Sequence, residues 1–282
     1  MSALATRFGA KAVTYRQNRP LTDAEMQRYA PSIFTTEAHE SRSERYGFIP
    51  TIEVLRGLER EGFRPFAVAQ TRTRDEGHRD YTKHMIRLRH ANTVEAAEAN
   101  EIVLLNSHNG TSAYQMLAGM LRFVCANGMV VGDIVEDVRV RHSGNVADEV
   151  IEGAYTVLDQ FEVVEDSREQ MKALTMAPAE QALFAEAARI ARWGDPTESP
   201  ANYAPIAAQS LLRPRRVADS GDDLWSTFNR VQENVIRGGL SGRTRTDTRT
   251  RTRTVNSVTT DVKLNRALWH LAEGMRELKA AA

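Results

Sequence analysis

Residues 243–254 read Arg-Thr-Arg-Thr-Asp-Thr-Arg-Thr-Arg-Thr-Arg-Thr. A period of two suits an extended chain and no helix, because only a strand sends successive side chains to opposite faces. Every Thr then lies on one face, and Arg243, Arg245, Arg249, Arg251 and Arg253 lie on the other. Same-face residues are roughly 6.7 Å apart, at a rise of about 3.3 Å per residue. Phosphates along a single nucleic-acid strand are spaced on that order, so such a row could track one backbone. Thr is a good strand former, which supports the extended reading. Two blander readings stand beside it: a solvated low-complexity tail, and an edge strand that uses charge to prevent aggregation.

The repeat matters more because the chain as a whole is neutral, with 37 basic against 37 acidic residues in 282. That zero is a sum of unlike parts. Arg64 to His90 holds seven basic residues and three acids, Asp133 to Glu169 eleven acids and three arginines, and Arg237 to Thr254 six arginines and one acid. Charge separated in this way directs attention to a polyanion partner. In the first basic region Arg72, Arg74, Arg79, Lys83, Arg87 and Arg89 fall on a strand–loop–strand unit with Tyr81 interleaved. Cations on a sheet beside an aromatic ring resemble a single-strand groove, where charge holds phosphates and rings stack on bases. A solvated sheet face accounts for the same residues.

Patterning predicts an α+β protein. Residues 1–20 carry four positive and no negative side chains and read as a flexible basic arm. The core is predicted over 21–193, a Pro-, Ala- and Ser-rich linker or long loop over 194–222, and C-terminal helices over 223–282 with the Arg–Thr segment between them. Thr22 and Glu25 fit a capping box for a short helix stopped near Pro31. Thr51 is predicted to cap a helix that ends at Gly62. Strands are predicted over 66–71, 81–90, 101–106 and 134–142. Tyr114, Leu117, Leu121 and Val124 stand at helical spacing, so a helix is predicted over 112–126, closed at Asn127-Gly128. The expected core is therefore an antiparallel β-β-β-α unit with additional helices over 146–172, after Pro178 and over 223–237. Leu264, Leu268, Leu271, Met275 and Leu278 form a seam on a last helix, read as packing against its own domain.

Motif searches find no signature of the common enzyme classes, so nothing in them argues for an enzyme. There is no phosphate-binding GxxxxGK[ST] loop, no GxGxxG after a strand, no HExxH and no paired CxxC. His78, His84, His90 and His108 could meet across strands, yet their spacing is not that of a metal site, and no metal or cofactor is implied. Cys125 is the single cysteine and reads as a buried hydrophobe. No apolar run reaches the ~18 residues of a membrane helix, and the N-terminus lacks a signal-peptide core, so a cytoplasmic protein without a membrane partner is expected.

The segments His39–Thr51, Thr71–Gly77, Lys83–Arg89, Leu104–Gly110, Leu121–Met129, Asn229–Gly239 and Asp261–His270 in combination resemble a phage/plasmid-like protein family of unknown function, the YubP/YfjQ-like proteins. That resemblance implies a mobile-element setting and supplies no catalytic residues. In outline, the predicted β-β-β-α unit with basic strands is also similar to single-strand annealing recombinases, which implies a homo-oligomer, even a ring. The leading expectation is sequence-independent binding of single-stranded DNA, with annealing, in replication, recombination or transfer of a mobile element. Its contacts are Arg72, Arg74, Arg79, Tyr81, Lys83, Arg87, Arg89 and the arginines at 243, 245, 249, 251 and 253. The alternatives are a protein–protein module, such as an inhibitor of a host defence enzyme acting through the acidic helix 146–169, and a metal-dependent nuclease.

Overall fold

The computed structural model describes residues 12–42, 46, 48–90, 98–112, 114–122, 127–130, 138–140, 146–199, 201 and 203–281. It is an α+β protein with an antiparallel sheet and additional helices. The chain divides into two compact units: residues 1–162 with 256–258, and residues 163–255 with 259–282.

The first unit is built on the sheet. Among the described residues its strands are β1 (Ala12–Arg16), β2 (Phe63–Thr71), β3 (His84–His90), β4 (Glu98–Asn106), β5 (Tyr114–Arg122), β6 (Asn127–Val130) and β7 (Val138–Val140). They pair in sequence order from β1 to β5, and the far side of β5 carries both β6 and β7. Helices α1 (Asp23–Tyr29) and α2 (Thr51–Arg60) pack against β2. Val68, Ile86, Leu88, Ile102 and Leu104 are fully buried, and so are Ala67 and Val103 on the opposite face. Both faces of the central strands are therefore interior.

That double burial explains the main difference from the sequence reading. Residues 114–122 form β5, not a helix, and Asn127-Gly128 opens β6 rather than capping one. Tyr114, Met116, Ala118 and Met120 point to one face and Leu117 to the other, all buried. A strand covered on both sides is a continuous apolar run, and such a run offers matches at helical spacing by chance. The helix expected to close the β-β-β-α unit is thus a further strand.

Other elements fall near their expected places. Thr22 and Glu25 do form the capping box of α1. Of the expected arm, residues 12–16 are β1, paired with β2; Tyr15 stacks on Tyr29 at 4.1 Å and donates to Glu25 at 2.8 Å, which ties this stretch to α1 as well. Residues 1–11 and Cys125 lie outside the described residues, as does most of the strand expected over 134–142, of which β7 is described. Pro50, not Thr51, occupies the cap position of α2, because the Thr51 hydroxyl is turned inward to other partners.

The second unit contains the end of α3 (Val146–Ala173), then α4 (Pro178–Trp193), α5 (Leu224–Arg237), a hairpin of β8 (Ser241–Arg243) and β9 (Arg249–Arg251), and most of α6 (Val258–Ala280). Segment 194–222 lies inside this unit, with short 3-10 turns at Ala208–Leu212 and Val217–Asp219, and Leu211 is fully buried. Helix α5 is buried from Leu224 to Ile236 except at Ser226, whose amide donates to Asp223 at the helix start. On α6 the seam is buried at Leu264 and Leu268 and runs out to Leu278, which is 70% exposed.

Candidate nucleic-acid interface

The Arg–Thr segment folds as a hairpin, so its arginines do not form one row. The register pairs Ser241 with Arg251, Gly242 with Thr250 and Arg243 with Arg249. Chain reversal occurs at 244–248, where Thr244 N–H donates to Thr248 O at 2.8 Å and Asp247 N–H donates to Thr244 O at 2.9 Å. Asp247 sits at φ 61°. Asp is among the few L-residues that accept this left-handed geometry, which lets the turn form without glycine.

Which face looks outward is set by Gly242. A Cβ there would lie 1.9 Å from the Pro205 carbonyl oxygen and 2.8 Å from Ile206 Cγ2, so this face of the hairpin is pressed against the chain at 205–206. Thr250, opposite Gly242, shares that inner face, and Thr252 is buried with its hydroxyl accepting from Leu240 N–H at 3.0 Å. The base is fixed in the same way. Gly238 has φ 62°, and a Cβ on it would come 2.6 Å from the Arg253 backbone. Arg243, Arg245, Arg249, Arg251 and Arg253 are consequently all exposed. Arg243 donates to Asp247 at 2.7 Å. Among the described residues no carboxylate bridges Arg245, Arg249, Arg251 or Arg253. The neighbouring cations are engaged: Arg216 and Arg237 both bind the buried Glu233, and Arg215 holds Asn234.

The first basic region behaves differently. Arg72, Arg74 and Arg79 are exposed on the connection between β2 and β3. Tyr81 is half-buried, its ring edge-on to His39 at 4.9 Å, so it is not a free stacking platform. Lys83 is half-buried, and burial pushes its ammonium below the ordinary lysine range. Arg87 and Arg89 are corrected outright, since both are 1% exposed. Arg87 Nη1 and Arg89 Nε each donate to Glu101 at 2.8 Å, and the Arg89 guanidinium lies 4.2 Å over the Phe66 ring. Burial acts to raise the Glu101 carboxyl, but Arg87, Arg16 and Arg89 outweigh it and hold it below the usual range. Two guanidinium groups bound to a carboxylate inside a sheet cannot reach phosphate.

A second buried polar cluster joins segments that are far apart in sequence. Ser32 donates its hydroxyl proton to Gln70 Oε1 at 2.9 Å, and Gln70 Nε2 donates to the Arg79 carbonyl at 2.6 Å. Ser32 Oγ must therefore accept from His84 Nδ1, 2.8 Å away. His84 Nε2 then accepts from the Thr51 hydroxyl at 2.9 Å, and Thr51 accepts from Asn106 Nδ2 at 2.9 Å. This order of donors makes His84 a neutral Nδ1–H tautomer. Desolvation, with repulsion from His108, pushes its pKa down to about 3. Ser32, Thr51, His84, Asn106 and His108 are all 0% exposed, so the cluster positions chain segments and meets no substrate. Sequence reading missed it; each residue alone is an ordinary polar side chain, and only the strand pairing brings them together. Among the described residues no three His, Cys, Asp or Glu side chains converge to hold a metal, and no helix is long and apolar enough to cross a membrane.

Comparison with known proteins places this architecture among relatives. The family model described as "Domain of unknown function (DUF932)" matches residues 38–269. The UPF0380 protein YafZ of Escherichia coli (strain K12) is 50% identical over 275 residues, covering 98% of both chains. The UPF0380 protein YfjQ of the same strain is 51% identical over 273 residues, covering 97% of both. No solved structure matches. With strands β2 to β7 and the hairpin inside the matched span, and both relatives aligned over nearly the whole chain, the chain belongs to the DUF932 family of proteins of unknown function.

Proposed function

We propose that the protein binds single-stranded DNA without regard to sequence, through the arginine face of the β8–β9 hairpin. The observation that carries this reading is the two-sided hairpin: Gly242, Thr250 and Thr252 face inward, while Arg245, Arg249, Arg251 and Arg253 are exposed and bridged to no carboxylate among the described residues. Four such guanidinium groups on a short rigid ribbon suit phosphate oxygens, which they can meet bidentately. A uniform repeat holds no pattern for reading base edges, so the contacts position a backbone and do not select a sequence. Arg72, Arg74 and Arg79 belong to the other unit, where they are exposed, and are not counted among these contacts. Arg87 and Arg89 have no part in them, and annealing and use by a mobile element are downstream roles of the same activity.

Fluorescence anisotropy of a labelled oligothymidylate tests the reading. Binding at low salt is expected, with log affinity falling against log salt at a slope of about −3 for four neutralised phosphates, at ~0.7 each. Absence of binding at low salt rejects it.

A further inference from the structure

The backbone of the hairpin holds a second kind of information. Thr252 N–H donates to Leu240 O at 2.9 Å, and Thr244 N–H donates to Thr248 O at 2.8 Å. With Gly242 opposite Thr250, these bonds fix the phase of the ladder. Thr248, Thr250 and Thr252 turn their peptide groups inward to β8, and successive residues point in opposite directions. Arg249 and Arg251 therefore aim N–H and C=O away from β8.

Outward groups at two neighbouring positions are occupied. Arg243 N–H on β8 donates to the Pro205 carbonyl at 2.9 Å, and the Arg253 carbonyl accepts from Arg192 Nη2 at 2.8 Å. Between those stops, the two N–H and two C=O groups of Arg249 and Arg251 have no partner among the described residues. An open edge of this kind is a template for another strand.

We propose that this edge takes an extended acidic peptide segment as an added strand, with Asp or Glu at alternate positions. Residues paired with Arg249 and Arg251 would stand on the arginine face, where opposite charges directly across a ladder are favourable. The residue between them would share the side of Thr250, which suits a small or β-branched residue. A second copy of β9 is the wrong occupant. Two-fold pairing about Thr250 would set Arg249 against Arg251 of the copy, and like charges directly opposite are destabilising. Nucleic acid needs the charges alone; a peptide strand needs the charges and the backbone edge, so the two ligands compete for one face by separable means.

The separation is testable on the full chain. Arg251→Gln removes the charge, and Arg251→Pro removes the charge and the outward N–H. Because that N–H makes no bond within the hairpin, proline is compatible with the fold, as at other edge positions. Amide exchange at Thr250 and Thr252 verifies that the hairpin persists. The probe is a fluorescein-labelled peptide of about eight residues alternating Glu and Thr, against a peptide of the same composition with its Glu in one block. The alternating peptide is expected to bind roughly fivefold tighter than the blocked one. Arg251→Pro is expected to bind it roughly fivefold more weakly than Arg251→Gln. Equal binding of the two peptides, or of the two variants, overturns the proposal. So does self-association of the wild type, without peptide, that Arg251→Pro abolishes. Oligothymidylate is measured in parallel: if it binds and the peptide does not, only this inference falls, and the reverse result rejects only the nucleic-acid reading.

Discussion

Arg87-Leu88-Arg89 on β3 and Arg249-Thr250-Arg251 on β9 are the same pattern in two settings. On β3 the arginines are interior, locked onto Glu101; on β9 they face water. The difference lies in what surrounds each strand. β3 is central in a wide sheet with both faces covered, so an arginine there has to bring a carboxylate with it. β9 belongs to a two-stranded ribbon with only one face packed, and the other face can hold charge at no desolvation cost. Alternation alone says that a chain is extended. The size of the sheet it joins decides whether its cations are structural or available.

The largest expected effect contrasts the two settings by stability. Glu101→Gln strands two buried guanidinium groups and is expected to cost about 3–5 kcal/mol. The double change Arg249→Gln/Arg251→Gln is expected to cost less than ~0.5 kcal/mol, as exposed substitutions do. Urea unfolding measures both, and equal losses would break the comparison.

A pH effect on the order of a few kcal/mol is expected from His84 in the first unit. His84 has a folded pKa of about 3, below its unfolded value of 6.5. The unfolded chain takes up the proton first, so this contribution is complete above pH 6.5 and is lost progressively as pH falls toward 3. Unfolding free energy followed across that window checks it, and a flat profile would remove His84 from the buried network. The hairpin carries no histidine.

Much of this arrangement could be read from residues in series, and some could not. The capping box at Thr22 and Glu25 is local and was legible. The extended nature of 243–254 was legible from its period, whereas its reversal was not, because the turn rests on Asp247 and not on glycine or proline. β5 carries a helix-like pattern in sequence because burial on both faces removes the alternation that marks a strand. Two facts about the site required the pairing of strands. Glu101 is an unremarked acid in sequence and becomes the partner of Arg87 and Arg89 only when β4 lies beside β3. Likewise Ser32, Thr51 and His84 are joined only through the fold.

Smaller effects sharpen the same contrast. Gly242→Ala places a methyl against the Pro205 carbonyl and is expected to cost about 1–3 kcal/mol. It should also loosen the hairpin enough to weaken oligonucleotide binding, read by anisotropy beside the unfolding curve. The smallest change is Tyr114→Phe. The Tyr114 hydroxyl is buried with no hydrogen-bond partner among the described residues, so removing it is expected to be neutral or to stabilise by up to about 1 kcal/mol. A thermal melt that instead drops would reveal a contact for that hydroxyl.

The most direct test of the central claim is the salt dependence of oligothymidylate affinity in the wild type and in Arg249→Gln/Arg251→Gln. If the hairpin arginines meet phosphate, the double variant binds more weakly and its slope of log affinity against log salt is shallower by about 1.4, at ~0.7 per lost contact. An unchanged slope would contradict the account, because it would place the phosphate contacts somewhere other than the exposed face of β9.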